Sequence, residues 1–171
     1  MQKARLKDDR NVTIRFLKVA DRNGLFDMFT SMSPKALEYS AAPYTMEIVD
    51  RWINGLENMI AFVAEYAGKI VGYAIVYRSP HRSRKGIGDL AIYVHQDFHG
   101  VGLGTAMTER LLQEARKDGM HKLQLSVVAD NLVAIGLYAK FGFNVEGTSK
   151  DAFFGFDGKY HDMTIMGLVL D

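Results

Sequence analysis

The chain of 171 residues has no cysteine. Disulfides, thiolate-held zinc, iron–sulfur clusters and a cysteine nucleophile are thereby excluded. Proline is scarce as well, three residues in all, and no Pro-, Gly- or Ser-rich tract marks a linker. No eighteen apolar residues run together, so no segment reads as a membrane-spanning helix. Met1 to Arg10 alternates charges and lacks the apolar stretch of a secretory signal. An excess of one charge is also missing: 21 Lys and Arg stand against 20 Asp and Glu, a formal net charge of +1. Phosphate-neutralising proteins carry a clear positive surplus, so the balance speaks against a nucleic-acid binder and against a polybasic membrane contact. What is left is one domain spanning 1–171, expected in the cytoplasm, with 48% hydrophobic residues to build its core.

Hydrophobic spacing divides the chain into elements. Val12 to Val19 alternates as a first strand, and Asp21 precedes a helical stretch carrying Leu25, Phe26, Met28 and Phe29. Ser31 to Pro43 reads as loop with at most a short helix. Met46, Val49, Ile53 and Leu56 recur at three and four residues, one face of a helix within 44–58. Strands at Met59–Tyr66 and Lys69–Tyr77 make a hairpin across Gly68, followed by a basic loop, Ser79–Lys85. A strand at Gly88–Val94 leads through a glycine-rich turn into a helix ended by Gly119, with Leu103, Met107, Leu111 and Ala115 as its buried stripe. Lys122–Val127 is a strand, and Asp130 or Asn131 caps a helix that Gly142 ends. Strands near Phe143–Ser149 and Tyr160–Val169 close the chain. The order is that of an α/β mixture (α+β) with a mostly antiparallel first half, too poor in parallel units for a doubly wound nucleotide fold.

The sharpest local feature is His99-Gly100-Val101-Gly102-Leu103-Gly104-Thr105, between a strand and a helix. Glycines let backbone approach a ligand, and a helix start offers unpaired amides with the positive end of its dipole. Such a turn suits a pyrophosphate. The dinucleotide spacing G-x-G-x-x-G is not met, and the lysine of a nucleotidase-type phosphate loop is absent. A tight turn without a ligand satisfies the same residues.

In context this turn resembles the Arg/Gln-x-x-Gly-x-Gly/Ala signature of the GNAT family of N-acetyltransferases, with His99 where Arg or Gln is usual. About thirty residues on, Asn131 to Phe143 is similar to that family's Asn-x-x-Ala-x-x-x-Tyr-x-x-x-Gly-Phe segment. The close likeness spans about 86–146, and phosphinothricin- and amino-acid-acetylating members are nearest in pattern. The resemblance implies a single-domain fold with a central, mostly antiparallel mixed sheet of about seven strands and about four helices. It implies that the fourth strand bulges and splays from the fifth. It further implies acetyl-CoA as cosubstrate and direct transfer to a primary amine of a small molecule or protein. A non-catalytic acyl-CoA sensor on the same fold is the alternative.

Carried over by position, the amides of Gly100, Val101, Gly102, Gly104 and Thr105, with His99, would hold the pyrophosphate. Ile92 and Val94 would pair with the pantetheine arm, the Val94 amide serving as oxyanion donor. Asn131 would touch the coenzyme, or act only as a helix cap. Tyr138 falls at the family's general acid, and a phenol of reference pKa near 10 holds its proton at neutral pH. The attacking amine must be neutral, whereas a lysine-like amine is free base only about once in 2,500 molecules at pH 7. Asp89 is the candidate base, with Glu65 second and a water third; Asp89 serves equally as a surface carboxylate.

Segments 31–44 and 153–160 are expected to border the acceptor, which makes Tyr39, Tyr44, Phe154 and Tyr160 candidate contacts; core packing or a dimer contact would use them equally. His95 and His99 have i,i+4 spacing but flank a loop, so no metal site is assigned. Partners are then an amine acceptor and, in this family, often a second copy, with neither nucleic acid nor membrane.

Overall fold

Alternation of apolar and polar residues sets the strands, and a computed structural model describes residues 1–170. Eight strands form one sheet: β1 Gln2–Arg5, β2 Asn11–Phe16, β3 Met59–Tyr66, β4 Lys69–Arg78, β5 Ile87–Val94, β6 Lys122–Val128, β7 Asn144–Phe154 and β8 Tyr160–Val169. Five helices accompany them: α1 Arg22–Ser31, α2 Pro34–Leu37, α3 Met46–Asn54, α4 Leu103–Lys117 and α5 Leu132–Lys140. The sheet order is β1-β2-β3-β4-β5-β6-β8-β7, and only β5 and β6 run parallel. This is the expected α+β architecture with one strand and one helix more. The extra strand is β1, a polar edge strand that pairs Gln2–Arg5 with Asn11–Ile14 and has no apolar alternation to announce it. The extra helix is the single turn α2, whose N-cap Ser33 accepts a hydrogen bond from the Ala36 amide. β7 runs on past Ser149 to Phe154, across an irregularity in its register with β8. No described helix is long and apolar enough to cross a membrane.

Two cores lie on opposite faces of the sheet. One collects Leu103, Met107 and Leu111 of α4 and Tyr138 of α5 against Ile14, Phe62 and Leu123. The other packs Leu25 and Phe29 of α1 and Val49 and Ile53 of α3 on Val63, Tyr73 and Ile75. Strand β5 serves both: Leu90, Ile92 and Val94 face the first core, Ala91 and Tyr93 the second.

β5 pairs with β4 along its length, from Gly72 opposite Val94 to Arg78 opposite Gly88. It pairs with β6 only at Ile87, Gly88 and Asp89, and from Leu90 onward the two strands part. The splay is therefore present, but the expected bulge is not: the β4–β5 register is unbroken. The reason is packing, because Tyr73 lies directly opposite Tyr93 and the two rings stack, 6.0 Å between centroids and 10° between planes. An inserted residue would put Tyr93 on the other face of the sheet.

Candidate active site

The glycine turn is shaped by its own backbone and by the N-terminal hairpin. A 3₁₀ turn at Gln96–Phe98 leads to Gly100 and Gly102, both left-handed at φ 74° and 93°, and Gly102 is the N-cap of α4. A side chain there would be strained, since L-residues avoid this region. The first hydrogen bond of α4 runs from the Ala106 amide to the Gly102 carbonyl. Among the described residues, the amides of Val101, Gly102, Gly104 and Thr105 meet no protein acceptor. The sequence suggested this cradle; its bracing it did not. The Lys7 amide donates to the Val101 carbonyl at 3.0 Å. Arg10 donates from Nη2 to the Asp97 carbonyl at 2.7 Å and lies 3.8 Å from the ring centre of Phe98.

His99 is exposed, and its Nε2–H donates to the Val94 carbonyl at 2.8 Å. Its neighbour His95 accepts at Nδ1 from the Asp97 amide, 3.3 Å away. Both imidazoles thus tie the loop to itself. The strand they tie it to is the splayed one. The His95 amide donates to the Val71 carbonyl of β4, so by alternation the backbone groups of Val94 and Ile92 point away from β4 into the gap. The Val94 carbonyl is taken by His99, which leaves its amide and both backbone groups of Ile92 on the open edge. Gly104 sits against this edge: a Cβ there would stand 3.9 Å from Val94 and 3.4 Å from Leu137 of α5. The glycine turn and the open strand edge are therefore contiguous. Asn131 caps α5, its Oδ1 accepting from the Ala134 amide at 3.2 Å, and only its Nδ2 is left for a ligand.

Tyr138 is buried, 7% exposed, with its ring edge-on to Phe143 at 5.7 Å. Burial pushes its phenol above the usual range, so it holds its proton throughout the pH range of a working enzyme. Burial likewise raises the Tyr93 phenol well above its usual value, and the neighbouring phenols of Tyr44, Tyr73 and Tyr138 push the same way. Tyr93 and Tyr138 belong to the cores on opposite faces of the sheet.

The two candidate base carboxylates are not open to this gap. Asp89 lies where β5 and β6 are still paired, four residues before Tyr93, or about 13 Å along the strand. Its Oδ2 accepts from Arg84 and its Oδ1 from the Gln124 amide, each at 2.8 Å. Glu65 accepts from Nε and Nη2 of Arg15 at 3.2 and 2.8 Å, and Arg15 also holds Asp21. No spacing rule marks either pairing: Gln124 and Arg15 lie on other strands, 35 and 50 residues from their carboxylates, and Arg84 reaches Asp89 from the turn five residues before it.

On the other face, five aromatic rings from four elements and a loop meet. Phe29 lies 4.3 Å from Tyr44, 5.5 Å from Trp52 and 5.1 Å from Tyr93, and Trp52 lies 5.1 Å from Tyr73. The hydroxyl oxygen of Tyr73 is buried with no hydrogen-bond partner. Such a group costs about 1–3 kcal/mol of unreturned desolvation. Beside Tyr44, Ser40 and Ala42 face the hairpin tip at Phe153–Gly158 across a cavity of about 380 Å³. The two segments expected at the acceptor side thus line one cavity. Phe154 is on its wall, 63% exposed, with Tyr160 packed on the ring at 5.1 Å; Tyr39, Tyr44 and Tyr160 do not line it.

A helix start with open amides beside a half-open strand pair is an arrangement for a ligand that is part phosphate and part extended amide. Residues 24–143 match the model of the acetyltransferase (GNAT) family, and the chain belongs to it. It is 30% identical over 169 residues to the L-amino acid N-acyltransferase MnaT of Escherichia coli (strain K12), covering 94% of this chain and 95% of that protein. It is 26% identical over 167 residues to the L-methionine sulfoximine/L-methionine sulfone acetyltransferase of Pseudomonas paraeruginosa, covering 94% and 96%. Among solved structures, that of a Salmonella typhimurium acetyltransferase with its cofactor acetyl-CoA superposes with a TM-score of 0.82 at 26% identity, over 94% of this chain and 95% of that one.

Proposed function

We propose that this chain is an acetyl-CoA-dependent N-acetyltransferase that passes the acetyl group directly to a primary amine within a ternary complex. The observation that carries the reading is the contiguity of the open α4 amides with the open β5 edge at Ile92 and Val94. The cradle of Gly100, Val101, Gly102, Gly104 and Thr105 takes the pyrophosphate. His99 acts through its bond to Val94, setting the angle between turn and strand rather than touching phosphate. Ile92 pairs with the amide-rich arm, and the Val94 amide donates to the thioester oxygen as negative charge develops there. The Nδ2 group of Asn131 is placed to meet the arm. The coenzyme-binding part is 86–146 of one domain.

In the transfer, the amine lone pair forms a bond to the thioester carbonyl carbon and the carbon–sulfur bond breaks. The sulfur takes the proton of Tyr138, which a buried, fully protonated phenol can give. The acceptor's ammonium proton leaves to water before attack, since Asp89 and Glu65 are both engaged by arginines; the proton that the attacking nitrogen sheds as the amide forms returns through water to the Tyr138 phenolate. The cavity between 40–42 and 153–158 receives the body of the acceptor. A location in the cytoplasm and a homodimer fit this activity.

Calorimetric titration with acetyl-CoA, with NAD and ATP as controls, tests the reading. Selective micromolar binding, followed by thiol release when amines are added, is the expected result. A folded sample that binds no acetyl-CoA, or binds NAD or ATP equally well, overturns it. Binding without transfer to any amine assigns the chain to acyl-CoA sensing.

A further inference from the structure

We propose, resting on the acetyl-transfer reading above, that Lys7 is a coenzyme-binding residue whose ammonium, carried on the β1–β2 turn, pairs with the pyrophosphate of acetyl-CoA at the start of α4. The β1–β2 hairpin lies outside residues 24–143, which match the family model, so the family signature says nothing of this contact. Two hydrogen bonds seat the turn on the glycine loop. The Lys7 amide donates to the Val101 carbonyl at 3.0 Å, and Arg10 Nη2 donates to the Asp97 carbonyl at 2.7 Å. The Lys7 side chain then crosses Gly102: a Cβ built on that glycine would stand 3.8 Å from Lys7 Cγ and 3.9 Å from Lys7 Cε. Contact at both ends of the stem means that it lies along the turn instead of standing off it, with the ammonium one bond beyond Cε. The Gly102 amide is among those that meet no protein acceptor. An oxygen bound there sits about 2.9 Å from the nitrogen, and rotation about the last bonds of a flexible stem brings the ammonium to it.

The glycine turn needs a cation from elsewhere. From His95 to Thr105 it contains neither Lys nor Arg. The signature position that is usually Arg or Gln is His99, and its Nε2–H is given to the Val94 carbonyl at 2.8 Å. Arg10 is taken up by the Phe98 ring, 3.8 Å from its centre, and by Asp8 at 2.6 Å. The start of α4 offers a partial charge of only about +0.5, less than a pyrophosphate carries in the opposite sign. The hairpin turn supplies what is missing. Arg5 pairs with Asp9 at 2.8 Å and Arg10 with Asp8, so both carboxylates beside Lys7 in the chain are occupied. Lys7 itself forms no ion pair among the described residues, and it is exposed to the side from which a ligand arrives at the turn. A compact ammonium with three donors suits phosphate oxygens that the backbone amides have already fixed.

Calorimetric titration of the full chain with acetyl-CoA and with its 3′-dephospho form tests the assignment on wild type, Lys7→Met and Lys7→Arg. Lys7→Met keeps the apolar stem and the backbone bond to Val101. It is expected to weaken both ligands by the same factor, about tenfold, the scale of one charge-assisted hydrogen bond. That factor should shrink between about 0.05 M and about 0.5 M salt as the pair is screened, and Lys7→Arg should stay within about threefold of wild type. Melting of both variants should match wild type, because the side chain is exposed and unpaired. A side chain that only braced the turn would give a loss indifferent to salt. Equal affinity of wild type and Lys7→Met, a loss that salt leaves unchanged, or a loss that Lys7→Arg shares overturns the proposal. So does a loss confined to acetyl-CoA, which would put the ammonium on the 3′-phosphate. Failure of the wild-type chain to bind acetyl-CoA instead overturns the activity on which the proposal rests.

Discussion

His99 donates its Nε2–H to the carbonyl of Val94 across 2.8 Å and so joins the glycine turn to the edge of β5 that its parting from β6 leaves open. The contact reaches five residues back along the chain, over the 3₁₀ turn at Gln96–Phe98. Neither segment can tilt without breaking it. His99→Ala should therefore weaken acetyl-CoA binding about fivefold, the worth of one net hydrogen bond of about 1 kcal/mol. The side chain is exposed, so stability should change little. Calorimetry on the variant measures the loss, and unchanged affinity would show that the turn holds its angle without the imidazole.

Gly102 tests the turn from the other side. Its φ of 93° is strained for any side chain, while a Cβ would come no nearer than 3.8 Å to Lys7. The cost of Gly102→Val is thus conformational, not steric, and falls on the amides that open α4. At about 1–2 kcal/mol for an L-residue forced left-handed, and more for a β-branched one, the turn will relax instead. Acetyl-CoA affinity should drop at least about thirtyfold with α4 still folded, as circular dichroism would show. Retained affinity would remove the cradle from the site.

Much of this was legible in the sequence because it is local. The stripe Leu103, Met107, Leu111 and Ala115, the hairpin at Gly68 and the Asn131 cap each need only a few neighbouring residues, and the structure has all three. The glycine turn announced itself in the same way. What escaped is what distant segments make together. β1 is polar and short, and it is held by its pairing with β2 rather than by an apolar face. Arg10, one of a run of charges, braces Phe98 and Asp97 from 87 residues away along the chain. Asp89 looked free because the alternation of β5 says nothing of Arg84, in a turn, or of Gln124, on β6. The aromatic cluster draws Phe29, Trp52, Tyr73 and Tyr93 from α1, α3, β4 and β5, and no spacing in the sequence encodes that meeting.

Tyr138 has burial against Phe143 and a phenol that stays protonated, both of which suit an acid. If it gives the thiolate its proton, Tyr138→Phe should lower kcat about a hundredfold, the lower end of general-acid effects. The ring remains, so packing and acetyl-CoA affinity should stay within about twofold of wild type. Turnover and calorimetry on the same preparation separate the two. Full turnover in the variant would hand the role to a bound water.

His161 has a carboxylate on each ring nitrogen: Asp130 at 2.8 Å from Nδ1 and Asp157 at 3.0 Å from Nε2. Both nitrogens must carry protons to serve both partners, so the imidazolium is the bonded form, and Asp157 with Asp130 raises its pKa above the usual 6.5. His161 and Lys159 in turn hold Asp157 below the usual carboxylate value of 3.8. Two windows follow. Stability from the raised imidazole is complete below about pH 6.5 and is lost as the pH climbs through the higher folded value. Stability from the depressed Asp157 is complete above about pH 4 and is lost as the pH falls through its lower one. Between those limits the hairpin tip that walls the cavity is clamped to Asp130, next to the Asn131 cap of the helix that carries Tyr138. His161→Gln should therefore melt below wild type at about pH 5.5, and the difference should shrink as the pH climbs above 6.5 through the raised folded value. The KM of the acceptor should rise across the same interval in wild type but not in the variant, with acetyl-CoA affinity unaffected. NMR titration of the His161 ring fixes the midpoint. A midpoint at or below 6.5, or a melting difference independent of pH, would mean that the two carboxylates do not share the ring in solution.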